Sequence, residues 1–140
     1  MIHVLGKARG VLKVSMESNI LLDIKKMLSV EHGDSFDHEL LLFINSAAME
    51  VGQLGACNPL IDIDSDSTWS DILTTDVMKR CISLVKKYIF IRTKLSFDPP
   101  TSGFYTTSLE KELEELKYRL IVQVDGEIEE YDNSELKSLE

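Results

Sequence analysis

Residues 85–120 read VKKYIFIRTKLSFDPPTSGFYTTSLEKELEELKYRL, and the fold follows from the way this stretch changes character. Tyr88, Ile89, Phe90 and Ile91 are apolar on every side of a helix, which requires burial on more than one face. That helix is either the centre of a bundle or partly covered by another subunit. Pro99-Pro100 must end it, because proline lacks an amide donor and disfavours helical geometry in the residue before it. Thr101, Ser102 and Gly103 then make a tight connection. Beyond it Tyr105, Leu109, Leu113, Leu116 and Leu120 recur in steps of three and four, predicting a helix over 104–122. Its other face carries Glu110, Lys111, Glu114, Glu115, Lys117 and Arg119, with i,i+4 pairs of opposite charge at Lys111–Glu115 and Glu115–Arg119.

Upstream, the same periodicity extends the apolar helix back to about Asp76, with Val77, Cys81, Val85, Tyr88, Ile89, Arg92 and Leu95 on one side. Trp69 opens a short helical turn through Leu73, for which Ser67 or Thr68 is the cap. An Asp-rich connection, residues 56–68, precedes it. Its alternation at 60–64 could support a short extended piece. Phe36, Leu40, Phe43, Ile44, Ala47, Val51 and Leu54 form the clearest amphipathic stripe of the first half, with Asp34 or Ser35 as cap and Gly55 as terminator. A first helix places Ile20, Ile24, Met27 and Leu28 on one stripe, capped by Ser15 or Ser18 and broken within 30–34 around Gly33. The fold class is therefore all-α: a small bundle of about four main helices plus one short one, with an extended loop and a C-terminal tail. Residues 1–15 read as an N-terminal extension and 16–124 as the helical domain. Residues 125–140 read as an acidic tail, mobile unless a partner orders it.

Composition narrows the function. The chain has 140 residues, 44% of them hydrophobic and 28% charged, which suits one folded domain. No apolar run is long enough to span a bilayer, and the first fifteen residues lack the pattern of a signal peptide. With 24 acidic against 15 basic residues the formal charge is −9. The basic pairs are scattered at helical spacing, so no surface is expected to grip phosphates; an acidic surface instead suits DNA that slides past without adhering.

Chemical motifs are weak. Asp62-x-Asp64-x-Asp66 begins like a calcium loop, but the sixth and twelfth positions hold Ser67 and Leu73 where glycine and a bidentate glutamate are needed. His32 and His38 flank Gly33 with Asp34 and Asp37 nearby, and read as a solvated helix start rather than a zinc site. His3 has no partner chemistry around it. Cys57 and Cys81 are not at C-x-x-C spacing and read as small buried thiols. No catalytic, cofactor-binding or metal-ligating residue is predicted.

The stretches TWSDIL (68–73), VKKYIFIRTKLSFDPPTSGF (85–104) and SLEKELEELKYRL (108–120) resemble the head-tail connector family of tailed bacteriophages, the head-completion or adaptor proteins. The Ile-Lys-x-Met-Leu helix (24–28), the Phe-Asp-x-Glu-Leu-Leu-x-x-Ile-Asn segment (36–45) and Gln-Leu-Gly (53–55) fit as well, so the resemblance covers about 17–122. It implies a structural virion protein of the neck, assembled in the host cytoplasm. Such proteins form a typically dodecameric homo-oligomeric ring beneath the portal protein, extend the DNA channel without reading sequence, and receive the next neck or tail-completion protein. It implies neither catalysis, cofactor nor membrane. Trp69, Tyr88, Phe90, Phe97, Asp98, Pro99, Pro100, Phe104 and Tyr105 are then the expected shape and interface residues. Segments 56–68 and 123–140 are the candidates for gripping a partner by ordering on binding. Apart from the resemblance, a helical regulator binding a host protein, or a metal-dependent enzyme using Asp62–Asp66, would fit the bulk properties.

Overall fold

A computed structural model describes residues 16–30 and 33–138, with side chains described as far as 126. Among the described residues six helices follow one another: α1 (Ile20–Met27), α2 (Asp37–Gln53), α3 (Trp69–Ile72), α4 (Asp76–Arg80), α5 (Ile82–Phe97) and α6 (Gly103–Ser138). Among the described residues there is no strand; Asn19 and Thr68 form an isolated antiparallel bridge. The expected all-α bundle is what the chain adopts. The extension 1–15, with Ser15 and His3, and His32 lie outside the described residues.

Helix α5 is the centre. It packs on α2 along one side and on α6 along the other, which accounts for the apolar run within the subunit: Tyr88, Ile89 and Ile91 are buried and Phe90 is half-buried. Leu40, Ile44, Ala47 and Val51 of α2 and Leu109, Leu113, Leu116 and Leu120 of α6 supply the facing stripes. Arg92, expected on the inner stripe, is exposed and bonded to Glu50 at 3.1 Å. Ile91 and Thr93 are buried on α5 instead.

Several ends differ from expectation, each for a local reason. Helix α1 is capped by Asn19, whose side chain accepts from the Leu22 amide at 3.0 Å. The Ser18 hydroxyl is occupied with Asp23 at 2.6 Å. Leu21 rather than Met27 is buried in α1. The helix stops at Ser29 (φ 60°), ahead of Gly33, where the Ser29 and Val30 amides bond back to Lys26 and Lys25 in a Schellman turn. Neither Asp34 nor Ser35 caps α2, which begins after Phe36 without a side-chain cap. Lys25, buried, ties this corner together by donating to the Gly33 carbonyl and to Asp37, at 2.7 and 2.8 Å. Gly55 does terminate α2: it sits at φ +85°, and the Gly55 and Ala56 amides close a second Schellman turn onto Gly52 and Val51.

The single helix expected from Asp76 is two, divided at Cys81, whose amide is shared between Val77 and Met78 carbonyls. The last helix starts as expected, with the Ser102 hydroxyl accepting from the Tyr105 amide at 3.3 Å, but it runs to Ser138 rather than Val122. Residues 123–138 contain no proline and carry four glutamates, so nothing after Val122 forces the backbone ladder to stop. At 1.5 Å per residue its 36 residues reach roughly 54 Å.

Candidate functional site: an assembly surface

The residues singled out in the sequence divide into an interior set and an exterior set. Trp69 is fully buried, and its indole N–H donates to Asp23 Oδ2 at 2.8 Å. The same oxygen accepts from Ser18 and lies 3.8 Å from Lys86 Nζ, which also stands 5.1 Å from the centre of the Trp69 ring. Burial lowers the Lys86 pKa, with Asp23 opposing that shift. This knot joins α1, α3 and α5, so Trp69 shapes the protomer from within. Thr68 opens α3 as expected, its amide held by the Asp71 carboxylate at 2.9 Å.

Tyr88 is buried as well, beneath a cleft of about 490 Å³ between α2, α5 and α6. Leu113 shares the floor, while the Glu50–Arg92 pair and Lys111 and Lys117 stand around the opening. Burial raises the Tyr88 pKa, with Glu50 adding to it and Arg92 opposing.

The exterior set lies at the Pro-Pro corner. Phe97 meets Phe36 edge-to-face, ring centres 5.4 Å apart. Asp98 is exposed and reaches Lys94 at 3.6 Å. Pro99 is exposed and Pro100 half-buried. Phe104 is 86% exposed and Tyr105 about half so. Farther along α6, Tyr118 and Val122 also face solvent.

Residues 56–68 are a pinned loop, not a slack one awaiting a partner. Asn45 grips Ile63 twice, its amide donating to the Ile63 carbonyl at 2.9 Å and its oxygen accepting the Ile63 N–H at 2.8 Å. The Asn58 amide bonds to Ile72 and the Asn19 side chain to Ser65, at 2.8 and 2.7 Å. Pro59 packs so closely on α2 that a Cβ at Gly52 would lie 2.7 Å from the Pro59 Cβ. Asp64 is spent on its own loop, accepting from the Asp66 amide and the Ser67 hydroxyl, which hold its carboxyl below the usual range. From this frame Leu60 projects 90% exposed, next to half-exposed Ile61 and Met49. Sequence reasoning missed Leu60, although an apolar pair within a polar, proline-bearing loop was a visible signal.

Chemical groups are not gathered. Among the described residues no three His, Cys, Asp or Glu side chains converge as metal ligands, and His38 is exposed. Cys57 donates to the Ala48 carbonyl at 3.2 Å, and burial pushes its thiol up to about 11. Among the described residues no helix is long and apolar enough to cross a membrane.

Fold and surface together describe a small helical protein whose notable features are exposed apolar contacts rather than reactive groups. Residues 20–127, most of the chain, match the family described as phage connector protein, and the chain belongs to that family. No curated protein and no solved structure matches it. The family is one of bacteriophage structural proteins that work against other components of the virion.

Proposed function

We propose that this protein is the head-tail connector subunit of a tailed phage. It is a non-enzymatic virion protein of the neck, assembled in the host cytoplasm, that forms a ring beneath the portal protein. The ring extends the DNA channel and offers its far edge to the next neck or tail-completion protein. The observation that carries the reading is the family match over residues 20–127, from α1 into α6.

Two physical features support it. Exposed apolar residues fall in separate places, Leu60–Ile61 and Met49 on one side and Phe104, Tyr105, Tyr118 and Val122 along α6. Unlike patches suit a head-to-tail contact, which closes into a ring when the rotation allows. The formal charge of −9 suits a passage that DNA crosses without sticking. Within the ring, Phe90, Phe97, Asp98, Pro99, Pro100, Phe104 and Tyr105 are the candidates to shape the neighbour and portal contacts, over the interior frame of Trp69 and Tyr88.

Imaging of the protein purified with its portal tests this directly. A ring coaxial with the portal, and DNA-filled heads that leak and lack tails when the chain is absent, are the expected results. A chain that stays small, binds a host protein one to one and is missing from particles would overturn the reading in favour of a regulator.

A further inference from the structure

We propose that the Leu60–Ile61 apex of one protomer seats in the cleft between α2, α5 and α6 of the next copy. The inference rests on the ring reading above and names its contact. Leu60 is 90% exposed, and the loop presenting it is held at Asn45, Gly52 and Ile72. A side chain displayed on a fixed frame loses little freedom on docking, which favours its use as an anchor. The chain also contains a receptor. The cleft of about 490 Å³ has Tyr88 and Leu113 in its lining, enough room for a leucine and its neighbour.

Apex and cleft cannot meet within one protomer. Met49 lines the hollow beside Leu60 and Glu50 lines the cleft. Consecutive residues on a helix project about 100° apart, so the two surfaces face different ways. A contact between them in which each copy docks on the next is head-to-tail, the kind that generates a ring when the rotation closes. Charge reinforces the direction. Asp62, Asp64 and Asp66 follow the apex, and Lys111 and Lys117 stand at the cleft with no ion-pair partner among the described residues. Glu110 and Glu114 stand on the same helix, so the match is made at the two lysines rather than by the cleft as a whole.

The test pairs Leu60→Cys with Glu110→Cys and oxidises assembled particles; Cys57 and Cys81 are buried and stay silent, and each single variant is the control. A ladder of covalent multimers in the double variant alone is expected. Particles that contain the double variant but yield only monomer overturn the inference and leave the ring reading intact, whereas particles that lack the parent chain overturn both. Independently, Leu60→Asp should keep the thermal midpoint of the parent and weaken ring formation on the portal about tenfold or more. Lys111→Glu with Lys117→Glu should also weaken it, and adding Asp62→Lys with Asp66→Lys should restore it. A Leu60→Asp chain that assembles normally, or a charge swap without rescue, counts against the contact.

Discussion

Trp69 and Phe104 both stand in the first turn of a helix, each just after a polar connection, yet one ring is fully buried and the other is 86% exposed. The difference lies in what the rest of the chain brings to each. Asp23 from α1 arrives to accept the Trp69 indole hydrogen bond, and Lys86 from α5 covers its ring. Phe104 follows the Pro-Pro corner, and its ring stays in solvent. Apolar burial contributes about 25 cal/mol per Å², so the first ring stabilises the protomer while the second adds little to it. Aromatic identity at a helix start is thus no guide to role; the neighbours that reach it are.

The comparison can be broken by substitution. Trp69→Ala should have the largest effect, destabilising by about 3–5 kcal/mol through the cavity and the lost hydrogen bond to Asp23, measured by urea unfolding. Gly52→Ala comes next. Its methyl would collide with Pro59, so the loop must move or strain, at about 1–3 kcal/mol; the same variant should misplace Leu60 and lower ring yield. Thr93→Val should act in the opposite sense. The Thr93 hydroxyl is buried without a hydrogen-bond partner among the described residues, so removing it should stabilise by about 1 kcal/mol, read as a raised unfolding midpoint.

Phe104→Ser should leave stability within about 0.5 kcal/mol while reducing assembly with the portal. Equal losses of stability for Phe104 and Trp69 variants would abolish the distinction. The smallest effect is local. The Asp64 carboxyl is held below its ordinary pKa, so the folded loop favours the ionised form. Its contribution is complete above the unfolded carboxylate value and is lost as pH falls through the lower folded value. Amide exchange at Asp66 and Ser67 should quicken over that acid range, and Asp64→Asn should remove the dependence.

Helix periodicity was legible where apolar steps of three and four were long, as in Leu40–Val51 and Leu109–Leu120, because those residues answer to a single facing surface. The all-round apolar run at Tyr88–Ile91 marked a helix buried on more than one face, and Gly55 marked an end that needs positive φ. Boundaries resting on competition between local groups were not legible. Asn19 rather than Ser18 caps α1 because Ser18 is drawn to Asp23, and Asp23 is placed there by Trp69, distant in sequence. Nor was the end of α6 legible, since the acidic composition after Val122 suits both a solvated coil and a helix without a core.

By itself the sequence determined the all-α class, the central helix, the Pro-Pro corner and, through its motifs, membership of the phage connector family. Those are properties of periodicity and of chain chemistry, which act over one or two turns. Only the tertiary structure decided which aromatics are interior, that the Asp-rich loop is clamped to α2, that Leu60 faces outward, and that three helices line a cleft. Exposure and concavity arise when segments far apart in sequence converge, and no local pattern encodes that convergence.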